Sequence, residues 1–422
     1  RNCFHNAKAA FCERVGRDVE TTMWDFVNIP DFLVEILCDI GKTLNPISEE
    51  EWKQRFPPPK QKKFAVERAN WFASDHNFGM FNDRTLFLKK EFYNKPKAPR
   101  PIHSGRYEFN CLLGCWLVPF TERLADKLNS SSKHYFPLRG SSEEIGTFIS
   151  KFKIMVENDF STFDATQKYE ALNMIIDCFE LANFPREIIH LMRQDIKYCK
   201  VTSRLGVSYA IGGARLSGVT ETLVGNTLLS LIVMYHVFED SINGGIYKGD
   251  DSVIDLNSVP NIAVAEEKFS LLGFRAKVKI SSLEDVEFCS SLVVPVDTGY
   301  TLTKKPGRVI AKTFWCKNTH FSKYKRREQL SGMVKGLAHD INHIPILRKL
   351  LTMPYIMNPD VPPDELTIYD ERNEHLHEMT PETWQFFSDR YNVPVETLML
   401  IEDSFNVTDL PFVFDDPVTR KI

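Results

Sequence analysis

"IYKGDDSVIDL" (Ile246–Leu256) sets two aspartates side by side between short apolar runs. Two readings compete for it. Asp-rich turns between strands are common, because Asp tolerates turn geometry and hydrogen-bonds its own backbone. Alternatively, Asp250 and Asp251 form a cation site, since neighbouring carboxylates repel unless a cation lies between them. A Gly-Asp-Asp triplet arises by chance in about one chain in twenty of this length at ordinary residue frequencies, so alone it favours the turn. The decision falls to the residues that precede it.

Two further constellations stand upstream in fixed order. "KFKIMVEND" (Lys151–Asp159) reads as a short apolar strand that delivers an acid at its C-terminal end. Five residues on, in "ENDFSTFDATQ", stands Asp164. "SGVTETLVGNT" (Ser217–Thr227) fits SGxxxTxxxNT at every fixed position, a match expected by chance about once in 10^4 such chains. Order and spacing together make coincidence a poor explanation.

With these residues quoted, the chain resembles the RNA-dependent RNA polymerases of positive-strand RNA viruses, whose palm motifs read DxxxxD, SGxxxTxxxNT and GDD. The similarity runs from about Leu88 to Trp315 and is nearest to the alphavirus-like and the tombus- or nodavirus-like groups. It implies an α+β right hand: an antiparallel palm sheet packed on helices, with fingers and a helical thumb. Fingers and N-terminal region would occupy 1–150, palm 151–185, a fingers insert 186–212, palm 213–318 and thumb 319–422. It also implies that Asn226 and Asp164 form the pair that senses the ribose 2′-hydroxyl. Ser217 and Thr222 would support that network, and Gly218 would let the loop flex with the template. Reverse transcriptases usually carry an aromatic where Asp164 stands, so ribonucleotides are the expected substrates.

The chemistry supports the same residues. Nucleotide addition is an in-line displacement by a 3′-hydroxyl on an α-phosphate, with pyrophosphate leaving. Two divalent cations about 3.5–4 Å apart activate the attacking oxygen and stabilise the leaving one. Carboxylates suit Mg²⁺ (or Mn²⁺), so Asp159 and Asp250 are the expected bridging ligands and Asp251 adds charge. Carboxylates about 4 Å apart repel by roughly 4 kcal/mol at an effective dielectric near 20, a liability that two ions remove.

Softer assignments follow from the resemblance. "LKKEFYNKPKAPRPIHSGR" (Leu88–Arg106) is similar to the basic fingers motif, with Lys90, Lys97 and Arg100 the candidates to neutralise the triphosphate. "FCSSL" (Phe288–Leu292) resembles the hairpin that grips the primer. In "LLGFRAKVKI" period-2 geometry points Lys277 and Lys279 to one face of an edge strand, where they would ordinarily be surface lysines. The family's motif D makes Lys277 the better match for the general acid that protonates pyrophosphate.

Bulk properties bound the rest. The 422 residues are 43% hydrophobic and 26% charged, an ordinary globular composition that allows two or three lobes. The chain begins with Arg1 rather than Met, which points to a piece of a longer precursor. The apolar run "LLSLIVMYHVF" (Leu228–Phe238) is too short to span a bilayer, so a soluble chain is expected. Nine cysteines at irregular spacing argue for reduced thiols and a cytosolic setting. Cys111 and Cys115, with His103 upstream, could hold zinc, but their apolar run favours core packing. His375 and His377 read as surface residues.

The net charge of −4 conceals a polarity: from Asp360 to the end, fifteen acids face four bases. Thr301–Arg327 carries nine Lys/Arg and no acid, interleaved with aromatics. Such a run suits a polyanion track as well as a solvated face. "FPPPKQKK" (Phe56–Lys63) reads as an extended basic linker. Helices are expected over "TQKYEALNMIIDCFELANF", about Thr220–Phe238, "AVAEEKFSLLG" and "TPETWQFFSDRYNV", the last capped by Thr380 with Pro381 in its first turn.

RNA template, nascent strand and NTPs are the expected partners, with other viral replicase proteins. The expected location is host cytoplasm, in replication complexes that reach membranes only indirectly. Two other classes fit less well. A catalytically dead RNA-binding relative would not need Asp159, Asp250, Asp251 and Asn226 together. A two-metal nuclease needs carboxylates but has no use for Asp164 paired with Asn226.

Overall fold

The computed structural model describes residues 3–15, 23–73, 82–89, 97–313, 322–363 and 375–407. The chain divides into two compact units, Arg1–Leu138 with Asn158–Lys279 and Arg139–Glu157 with Ile280–Ile422. Helices and mostly antiparallel strands mix in both, an α+β arrangement.

The first unit holds most of a five-stranded sheet. Its strand order is His134–Tyr135, Ile242–Lys248, Asp251–Leu256, Met155–Phe160, Ala276–Ser281. The centre is the antiparallel hairpin of the second and third strands, in which Lys248 pairs with Asp251 and Ile246 with Val253. Gly249 makes this turn with φ +67°, a left-handed conformation that costs glycine little. The strand ending in Asp159 and Phe160 lies beside the hairpin. Sequence order thus delivers two acidic motifs to adjacent strands.

Behind the sheet runs the helix Thr222–Phe238. Leu228, Leu229, Leu231, Ile232 and Val233 are almost wholly buried, each worth about 1.5–3 kcal/mol as an upper estimate. Together with the 3₁₀ turn after it, this element is long and apolar enough to cross a membrane, with 20 residues. Taken alone, the shorter apolar run had pointed the other way. Its burial on all sides among strands and helices of the unit is that of a core helix.

A second sheet in this unit has the order Pro101–Gly105, Asp83–Leu88, Cys199–Thr202, Ser208–Ile211. Beneath it Arg84 is buried and ion-paired to Asp195 at 2.6 Å. The segment read as a linker is a helix, Pro58–Ala73. Prolines are tolerated in a first helical turn, where no amide is needed, and Pro57 accepts from the amides of Lys60 and Gln61. Phe64 then stacks on Trp52 with ring centroids 5.1 Å apart, and Lys60 sits 3.9 Å over Phe56. Packing of one aromatic face decided a segment whose local composition suggested extension.

The second unit contains the meander Glu287–Phe288, Ser291–Val296, Gly299–Lys304, and helices including Lys323–Gly336 and Pro381–Tyr391. Leu292 and Val294 share its core with Ile341, Leu350, Trp384 and Phe387. The Thr380 hydroxyl accepts from the Thr383 amide and Pro381 occupies the first turn, as its sequence signals require. His377, expected at the surface, is buried. Its backbone carbonyl accepts from Asn342, and the Asp297 carboxylate receives the Glu378 amide at 3.1 Å and His375 Nε2 at 2.9 Å. A carboxylate at a hairpin turn anchors this segment, which no local pattern could show.

Candidate active site

Asp159 ends its strand exposed, and Asp250 stands at the neighbouring turn. Part of the Asp250 side chain reaches solvent, yet burial raises its pKa above the ordinary carboxylate value. Its own backbone N–H opposes that rise, Asp164 adds to it, Arg100 opposes it and Asp159 adds again. The structure therefore gathers Asp159, Asp164, Asp250 and Arg100 into one electrostatic neighbourhood. Asp251 begins the next strand, exposed and across from Lys248.

This donor set is all oxygen, and its field favours a hard divalent cation. Asp159, Asp250 and Asp251 are the residues that would hold it. Their oxygens do not lie within 4.8 Å of one another as a trio. Among the described residues that spacing is met by Asp297, His375 and His377 in the second unit, already joined as an ion pair.

The helix start places the other motif. Asn226 is 4% exposed, and its Nδ2 donates to Asp164 Oδ1 at 2.8 Å. Ser217 offers its carbonyl to the His103 amide at 2.9 Å, and Gly218 takes φ +94°. The Thr222 hydroxyl donates to the Val219 carbonyl at 2.8 Å, closing the first turn of the helix. Thr227 Oγ1 accepts the Gly249 amide at 2.8 Å. The helix thus fixes both Asn226 and the aspartate turn.

Three residues that motif reading passed over complete this network. Gln167 Nε2 donates to Asn226 Oδ1 at 3.0 Å, Arg215 Nε donates to Gln167 Oε1 at 3.1 Å, and Arg215 Nη1 meets Glu221 Oε1 at 3.2 Å. All are buried. A glutamine three residues after Asp164 and an arginine two before Ser217 were the available signals, but each is ordinary by itself. Arg215 and Glu221 also line a small cavity with Asp195, whose pKa burial pushes up to about 6.

The basic candidates divide. Arg100 stands close enough to influence Asp250, Lys97 is exposed before the Pro101–Gly105 strand, and Lys90 lies outside the described residues. Lys277 and Lys279 are both exposed on the edge strand, with Val278 buried between them. In the C-terminal basic stretch, Lys304 pairs with Asp340 at 2.6 Å, Lys305 with Glu287, and Arg327 donates to the carbonyls of Tyr355 and Pro354. Lys325 and Arg326 are exposed. Residues 314–321 and the Lys323 side chain lie outside the description. His103 bonds Tyr209 at 2.6 Å rather than joining the cysteines, and the described cysteines are free thiols, with Cys111 packed in its helix.

The acid-bearing strand, the aspartate hairpin and the helix that carries Asn226 thus meet at one sheet. The chain belongs to the RNA-dependent RNA polymerase family: the family model described as "RNA dependent RNA polymerase" matches residues 52–317. It is 26% identical over 294 residues to the "RNA-directed RNA polymerase" of Oat chlorotic stunt virus, covering 63% of this chain and 39% of that protein. The "RNA-directed RNA polymerase" of Tobacco necrosis virus is 27% identical over 295 residues, 63% of this chain and 40% of the relative. That of Greasy grouper nervous necrosis virus is 29% identical over 160 residues, 35% and 15% respectively. The similarity is thus to polymerases of positive-strand viruses of tombus-like and nodavirus kinds. The chain spans about two-fifths of the length of the first and second of these relatives.

Proposed function

We propose that this chain carries out template-directed RNA synthesis, adding nucleotides from NTPs to the 3′ end of a growing RNA during viral replication. The observation that carries the reading is the Asn226–Asp164 hydrogen bond beside the Asp159 and Asp250 carboxylates. A nuclease needs the carboxylates alone; a polymerase that selects ribonucleotides also needs the pair.

Asp159, Asp250 and Asp251 would hold the cations, which would supply the charge that activates the 3′ oxygen and stabilises the leaving pyrophosphate. Asp164 accepts from the ribose 2′-hydroxyl while Asn226 holds Asp164 in place. Ser217 and Gly218 shape the loop beneath the templating base. Arg100, with Lys97 and Lys90, neutralises the triphosphate. Lys277 donates a proton to the departing pyrophosphate. The hairpin through Cys289 and Ser290 grips the primer strand. Exposed Lys325 and Arg326 belong to the RNA track, while Lys304, Lys305 and Arg327 hold the second unit together.

In this reading the first unit provides fingers and palm and the helices of the second the thumb. Other replicase proteins assist it in the host cytoplasm and link it to membranes. The test incubates the protein with an RNA template, primer and NTPs in Mg²⁺ or Mn²⁺. Lengthened product supports the reading. Shortened RNA favours a nuclease, and binding without reaction favours an inactive relative.

A further inference from the structure

We infer that Glu221, Arg215 and Gln167 are positioning residues that set the donor–acceptor sense of the Asn226–Asp164 pair, and through it the selection of ribose over deoxyribose. The inference rests on the polymerase reading above and adds to it three residues outside the motif positions.

Asn and Gln amides present a donor at one end and an acceptor at the other, so either orientation fills the same space. Something must decide which end faces Asp164. Arginine only donates. With Arg215 Nε 3.1 Å from Gln167, the glutamine must turn its carbonyl to the guanidinium. Its NH₂ then faces Asn226 and donates to Oδ1 at 3.0 Å. That leaves the Asn226 NH₂ to donate to Asp164 Oδ1 at 2.8 Å. Direction propagates from a fixed cation to a fixed anion through two amides. Glu221 holds the cation from the other side at 3.2 Å.

Burial makes the arrangement decisive. Gln167 is fully buried, and Asn226, Arg215 and Glu221 are each less than one-tenth exposed. Water therefore cannot readily replace a lost partner, and each bond polarises the next. Gly225 leaves the space that Arg215 needs, since a β-carbon there would stand 2.7 Å from Nη2. Reversing both amides would aim the Asn226 carbonyl at the Asp164 carboxylate. Asp164 would then move away from Asn226 and lose its hold on the 2′-hydroxyl.

The test is Gln167→Glu. The new side chain keeps the shape and still accepts from Arg215, but it cannot donate to Asn226. The Asn226 amide, which donates from one end only, then faces a carboxylate at both ends and cannot keep its NH₂ on Asp164 without aiming its carbonyl at the residue 167 carboxylate. Initial rates with GTP and dGTP on one primed RNA template give the ratio of kcat/KM. The expected result is a fall in that ratio of about tenfold or more, arising on the GTP side. Arg215→Met should fall similarly, and Arg215→Lys, which keeps a donor, should fall less. A purely structural role would lower GTP and dGTP incorporation alike and leave the ratio unchanged. An unchanged ratio in both Gln167→Glu and Arg215→Met, with a wild type that extends primers and discriminates, overturns the inference alone. A wild type that extends no primer overturns the polymerase reading, and this inference with it.

Discussion

Thr227 Oγ1 accepts the backbone N–H of Gly249 at 2.8 Å, so the helix that carries Asn226 also holds the turn that presents Asp250. The bond is buried. Thr227→Val keeps the shape and removes the acceptor. Stranding a buried donor costs about 1–3 kcal/mol, and Thr227→Ser should recover most of it. Urea unfolding and single-turnover nucleotide addition should both weaken in the valine variant. Wild-type behaviour in both would mean the turn holds itself.

Asp250 couples stability to pH and to cations. Its folded-state pKa is raised above the ordinary 3.8, so the ionised carboxylate costs stability. That cost is absent below the unfolded pKa, grows as pH rises from the unfolded to the folded pKa, and is full above the folded one. In EDTA at pH 7, Asp250→Asn should melt higher than wild type, with the gap closing near pH 4. Added Mg²⁺ should raise the wild-type Tm and leave the variant's nearly still. Equal Mg²⁺ responses would remove Asp250 from the cation site.

The turn between Phe288 and Ser291 places Cys289 at φ 50° and Ser290 at φ 61°, both left-handed without a glycine. Such a residue costs about 1–2 kcal/mol, against the greater chain entropy that glycine loses. Ser290→Gly should therefore stabilise the protein by about 0.5–1 kcal/mol by denaturant unfolding. A loss of stability would show that the serine side chain is needed there.

Lys277 and Lys279 share an exposed edge, yet the proposed proton transfer separates them. Lys277→Leu should slow single-turnover addition about tenfold or more with little change in NTP affinity. Lys279→Leu should do much less. Like behaviour of the two would return both to the surface.

What the sequence disclosed follows from how local each signal is. That Asp159, Asp164, Asn226 and Asp250 come together was legible because each motif spans only a few neighbouring residues, and strand-ending acids and helix i, i+4 positions follow from local geometry. The apolar helix and the Thr380 cap were legible for the same reason. The Pro58–Ala73 helix was not, since proline reads as extension until Phe64 finds Trp52. Gln167 and Arg215 stand 48 residues apart, and only the fold joins them. The burial of His377 is not legible locally, since the groups its ring meets, Asp297 and Thr298, stand about 80 positions earlier in the chain.

The most direct test of the central claim compares Asp250→Ala with wild type for extension of a primed RNA and for RNA affinity, in the same Mg²⁺ buffer. The account predicts that extension is abolished while the fold and RNA affinity are largely kept, because the carboxylate serves the reacting phosphate and not the duplex. A variant that retains about a tenth or more of wild-type extension contradicts it, since losing a carboxylate that would hold the cations should cost far more.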